Sequence, residues 1–179
     1  MARVTRCGAA LVVTAVLALG FSTSPAAAVP PSGSGGEYYS LTPARVLDTR
    51  TAGQGPCVAA GETRFVQVGG LGGLPADASS VVLNVTAVTP TAAGFVTVFP
   101  VGVARPGTSS INFVAGQTVP NSVTVGLGTA GQVAVYNHAG CTHLVVDVVG
   151  FHSPGTSSSG NPVPGGFSPV TPTRRLDTR

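Results

Sequence analysis

The sequence predicts an all-β fold, a β-sandwich or barrel-like single domain. Three observations carry this. Short segments rich in Val, Thr and Phe alternate with Gly, Pro, Asn and Ser punctuation. Several segments alternate apolar and polar residues with a period of two, the pattern of a half-buried strand. Beyond the N-terminal stretch no long 3.6-residue apolar period occurs, and 25 Gly and 15 Pro leave little room for useful helices.

The strands are expected at 38–42, 45–49, 64–69, 79–88, 94–99, 109–114, 121–127, 132–137 and 142–151. Short strands at regular spacing fit two packed sheets or a closed one. In 79–88, Val81, Leu83, Val85 and Ala87 share one face, opposite Val82, Asn84, Thr86 and Val88. In 109–114, Ile111 and Phe113 oppose Ser110 and Asn112. In 121–127, Val123, Val125 and Leu127 oppose Ser122 and Thr124. The 142–151 segment is apolar on both faces, with Leu144, Val146 and Val148 on one and Val145, Asp147, Val149 and Phe151 on the other. A strand apolar on both faces belongs at the centre of the packing.

Asp147 interrupts that central strand, and a carboxylate there is costly unless paired. The cations within 37–152 are Arg45, Arg50, Arg64 and Arg105. Asp147 or Asp48 is therefore expected to pair with Arg45 or Arg50, making Arg45, Asp48, Arg50 and Asp147 a structural charge cluster. The competing reading is an acid pair for hydrolysis, but no other residues assemble a site around it.

Three of these residues lie in a phrase that occurs twice. TPARVLDTR at 42–50 returns as TPTRRLDTR at 171–179, seven of nine positions identical at an offset of 129. Such self-similarity marks repeated modules. The organisation expected is a signal peptide at 1–28, a flexible leader at 29–36, one β-rich module at 37–152, a Pro/Gly/Ser linker at 153–166, and at 167–179 the opening strand of a second, incomplete repeat. The chain would then be a piece of a longer protein.

The signal reading rests on Arg3 and Arg6, an apolar stretch from Gly8 to Gly20, and Ala26, Ala27 and Ala28 as a small-residue cleavage site. The apolar stretch is shorter than the ~20 residues a spanning helix needs. The alternative is an uncleaved anchor. Cleavage would leave Cys57 and Cys141, and an even cysteine count in an exported chain favours one disulfide over two free thiols. Neither cysteine lies in a CxxC or other redox signature.

Composition excludes several classes. The chain has no Lys, and 37–152 carries four Arg against five carboxylates. No basic patch exists to release counterions from nucleic acid. His138, His143 and His152 fit no zinc spacing, so no metal or cofactor is expected. No Gly-x-Ser-x-Gly elbow supports a Ser–His–Asp triad. The glycine-rich 69–74 run precedes no helix that could aim amides at phosphate. Asn84-Val85-Thr86 matches a glycosylation sequon inside a strand and is read as chance. There is no Trp; Tyr38, Tyr39 and Tyr136 are the candidate ligand contacts, with strand packing as their plainer role.

LTPARVLDTR at 41–50, ADASSVVLNVTAVTP at 76–90, GFVTVFP at 94–100, SINFVAGQTVPN at 110–121 and HLVVDVVGF at 143–151 together resemble a secreted actinobacterial tandem β-repeat module. The resemblance spans about 38–152 and agrees with the Ala, Gly and Val richness of the chain. It implies a β-rich exported unit, sometimes accompanying cell-wall hydrolases, and it brings no catalytic residue or ligand with it. The function expected is non-catalytic: cell-surface or cell-wall association or spacing, extracellular, as an accessory segment of a larger exported protein. Cell-wall polysaccharide or another surface protein is the expected partner, with no membrane association after signal cleavage. A carbohydrate-binding or adhesive module is the alternative, and a minor secreted hydrolase a further one.

Overall fold

The computed structural model describes residues 36–154 together with Val170, Thr173, Arg174, Leu176 and Asp177. The expected signal peptide, most of the leader and most of the linker lie outside the described residues. Among the described residues eight strands form: β1 (Tyr38–Asp48), β2 (Thr63–Gln67), β3 (Ser80–Val88), β4 (Gly94–Pro100), β5 (Ile111–Phe113), β6 (Val119–Gly126), β7 (Gln132–Asn137) and β8 (His143–His152). One 3-10 turn, Thr129–Gly131, precedes β7. The strands build two antiparallel four-stranded sheets, ordered β1-β8-β3-β6 and β2-β7-β4-β5. The fold is all-β and consistent with a β-sandwich. None of the described residues of the second phrase lies in a strand.

The core follows the period-two pattern. Val81, Leu83, Val85 and Ala87 of β3 are fully buried, as are Leu144, Val146 and Val148 of β8. Val96 and Val98 of β4 and Val133 and Val135 of β7 meet them from the other sheet. Each such Val or Leu side chain contributes about 1.5–3 kcal/mol by leaving water.

Two departures from the sequence pattern have one cause, β-bulges. The segments 38–42 and 45–49, read as separate strands around Pro43, form a single strand, β1. Its pairing with β8 shifts between Ser40 and Ala44 and again between Arg45 and Leu47. The extra residues absorb Pro43, which has no N–H for a ladder. In β8 the register against β3 slips by one between Gly150 and Val148. The slip leaves Val149 unopposed and turns Phe151 to the other face. Phe151, expected beside Asp147, is instead in the core, 4% exposed and stacked on Tyr39 at 5.2 Å between ring centroids.

β8 sits between β1 and β3, the interior position its apolar faces require. Val145, on the Asp147 face, is also buried. β5 is shorter than the expected 109–114 because its ladder with β4 holds only three residue pairs, Ile111 to Phe113 opposite Val96 to Gly94.

Candidate functional site

The outer face of the first sheet carries the charge cluster. Arg45 of β1, Asp147 of β8, Asn84 of β3 and Ser122 of β6 lie in one cross-strand row. Arg45 donates from Nε to Asp147 Oδ1 at 2.8 Å and from Nη2 to Oδ2 at 3.3 Å. Its Nη1 reaches Asp48 Oδ2 at 3.3 Å. Arg50 closes a second fork, with Nε 2.8 Å from Asp48 Oδ1 and Nη2 2.7 Å from Oδ2. The Arg50 backbone N–H also donates to Asp48 Oδ1 at 3.1 Å, an Asx turn that ends β1. Gln54 Oε1 accepts the Asp48 N–H at 2.7 Å.

This geometry fixes the chemistry of Asp48. Hydrogen bonds from the Arg50 side chain, aided by its backbone N–H and by the charges of both arginines, hold the carboxyl well below its usual range against an opposing effect of burial. Such a carboxyl cannot serve as a general acid near neutrality. The hydrolytic pair would need one carboxyl raised into that range.

The same phrase includes Thr49, which is buried. Its Oγ1 accepts from Leu144 N at 2.9 Å and lies 3.0 Å from His143 Nδ1. The phrase therefore binds β8 by charge and by hydrogen bond. In the second copy Arg174 Nη1 donates to Asp177 Oδ2 at 2.6 Å. That pair repeats the Arg45–Asp48 spacing.

The three tyrosines go to three places. Tyr39 packs on Phe151, with its hydroxyl donating to Glu37 at 3.1 Å. Tyr38 is 53% exposed and lies across Gly150, where a side chain would collide with its ring. Tyr136 is on the outer face of the second sheet, under the Arg105 guanidinium, whose carbon is 4.1 Å from the ring centroid.

Around Tyr136 lies a face that the sequence did not single out. Phe65 of β2, Ala134 of β7 and Phe99 of β4 form one cross-strand row, and Thr63, Tyr136 and Thr97 form the next. All six alternate with core residues and so point outward. Phe95, next along β4, stacks on His138 at 4.4 Å. Ala134, Thr97 and Phe99 are buried, and Thr97 donates to Thr108 O at 2.7 Å. Phe65 is 60% exposed. The usable signal was the alternation in β2, which puts Phe65 opposite to Val66.

The histidines do not converge. His143 and His152 stand at opposite ends of β8, where His152 Nδ1 lies 2.8 Å from Ser80 Oγ and burial pushes its pKa down. His138 follows β7 of the second sheet. Among the described residues no group of three His, Cys, Asp or Glu could hold a metal ion.

Cys57 and Cys141 form a disulfide, with a Cα separation of 5.6 Å. Beside it Val58 and Thr142 exchange backbone hydrogen bonds of 2.9 and 3.0 Å. Sequence reasoning missed the residue beneath, Asn137, which is fully buried. Its Nδ2 reaches the carbonyls of Val58, Ala59, Ala139 and Gly140 at 2.9–3.3 Å, and its Oδ1 accepts from Thr142 at 3.2 Å. An Asn two residues before a turn is too common a pattern to mark such a role.

Among the described residues no helix is long and apolar enough to cross a membrane. The disulfide is compatible with an extracellular protein. No protein-family model and no curated protein matches the chain.

Proposed function

We propose that this chain is a non-catalytic module of an exported protein, serving cell-surface or cell-wall association or spacing. The observation that carries this reading is the commitment of both candidate acids to arginines: Asp147 to Arg45, and Asp48 to Arg50 and Arg45. Arg45–Asp147 ties the edge strand β1 to β8, and the Asp48 pairs fix the end of β1. The proposal includes export through the 1–28 signal and membership of the secreted actinobacterial tandem-repeat modules that the 41–151 motifs resemble. The disulfide supports an oxidising destination.

The carbohydrate-binding alternative is favoured by one observation of its own, the exposed Phe65 beside Tyr136. Sedimentation of the chain with insoluble cell-wall material tests the proposal, and retention there is the expected result. Turnover of glycan or ester substrates that Asp147→Asn abolishes without unfolding the protein would replace it with the hydrolase reading.

A further inference from the structure

We propose that the open part of the second sheet's outer face, Phe65 of β2 and the Arg105–Tyr136 pair, binds an acidic polysaccharide, with Arg105 taking a sugar carboxylate and Phe65 stacking on a pyranose ring. The inference deepens the surface-association reading and rests on it. Its first ground is Arg105. Arg45, Arg50 and Arg64 each pair with a carboxylate. Arg105 is exposed and makes no ion pair with any described residue; it lies over the Tyr136 ring instead. A guanidinium on an aromatic face is oriented by the ring while its N–H edge stays open to a planar carboxylate.

The second ground is the charge of the face. Its outward positions are Thr63, Phe65 and Gln67 on β2, Gln132, Ala134 and Tyr136 on β7, and Phe95, Thr97 and Phe99 on β4. None is a carboxylate. Asp48 and Asp147 belong to the other sheet, and Glu62 is engaged by Arg64 and the Ala59 N–H. An anion approaching Arg105 from solvent therefore meets no like charge on this face.

The third ground separates sugars from peptides. A peptide is taken up along an open strand edge or in a groove. Here the exposed aromatic belongs to the edge strand β2 but points off the face of the sheet and not along its open edge, flanked by Thr63 and Gln67, whose neutral groups suit hydroxyls. The apolar C–H face of a pyranose fits such a ring.

Affinity electrophoresis of the full chain through gels containing polygalacturonate tests this, with neutral dextran as the comparison. The chain should be retarded by polygalacturonate and not by dextran. Arg105→Gln and Phe65→Ser should each weaken retardation by about tenfold, with melting unchanged because both side chains are exposed. Tyr38→Ala, on the other sheet, should have no effect. Retardation should fade as salt approaches about 1 M. Absence of retardation, equal retardation by dextran, indifference to both variants, or self-association through Phe65 in sedimentation velocity would overturn the inference. Retention on cell-wall material that both variants leave intact would sink this inference and leave the broader proposal standing; no retention on walls would sink the wall-association reading on which it rests.

Discussion

Arg45 and Asp147 stand directly opposite each other across β1 and β8, joined by two hydrogen bonds. Asp147 is 18% exposed at its side chain and lies between Arg45 and Asn84 in the row. Removing Arg45 leaves a half-desolvated carboxylate without its cation, and β1 is an edge strand with two bulges. Arg45→Leu and Asp147→Val should each lower the urea midpoint, and the double variant should lose less than the two single losses combined. A double-mutant cycle measures this coupling. Strict additivity would mean that the pair does not hold β1.

Acid should weaken the same corner. Asp48 is depressed in the folded state, chiefly by its bonds from Arg50, below an ordinary value of 3.8. A depressed carboxyl contributes stability that is present above its unfolded value and lost as pH falls through the folded one. Glu62, held low first by the Ala59 N–H, acts in the same direction. The urea midpoint should therefore fall as pH is lowered from about 5 toward 2. Asp48→Asn should be less stable at neutral pH and have a flatter acid limb. An unchanged acid limb would remove Asp48 from the account.

The sequence made the sheets legible where period-two alternation was strict. Val81 to Ala87 on β3 could be placed in the core by counting. Phe151 could not, because a one-residue bulge reverses every side chain beyond it and the sequence gives no sign of a bulge at Val149. The charge cluster was readable because five carboxylates and four arginines in the module leave few pairings. The aromatic face was not, because Phe65, Phe95, Arg105, Tyr136 and His138 meet only through the order β2-β7-β4. That order is a long-range fact that no local pattern contains.

The disulfide corner should contribute through two separable elements. Opening the Cys57–Cys141 link, of sequence separation 84, should cost about 4–5 kcal/mol by unfolded-chain entropy. Asn137→Ala should cost about 1–3 kcal/mol by leaving buried carbonyls and the Thr142 hydroxyl without their partner. Because both act on the Val58–Thr142 bridge, the two changes should interact. Thermal unfolding of the Cys57→Ser/Cys141→Ser variant, the Asn137→Ala variant and their combination measures this. Full additivity would place Asn137 outside the corner's cooperative unit.

Two glycines make opposite predictions for the same substitution. A Cβ at Gly128 would run into the backbone of Val101, whose carbonyl accepts the Thr129 N–H at 2.9 Å. The φ of Gly128 is −93°, so alanine is allowed there by its own backbone, and any loss must come from the close approach. Backbone cannot swing aside as a side chain can, so Gly128→Ala should cost about 1–3 kcal/mol, the range of an overpacked core. A Cβ at Gly150 would meet the Tyr38 ring at 2.5 Å, but that ring is the exposed end of a side chain and can rotate into solvent. Gly150→Ala should therefore leave the melting temperature nearly unchanged while altering the tyrosine signal in near-ultraviolet circular dichroism. If Gly150→Ala proved the more destabilising of the two, Tyr38 would have to be a fixed cover over β8 and not a surface residue resting on it.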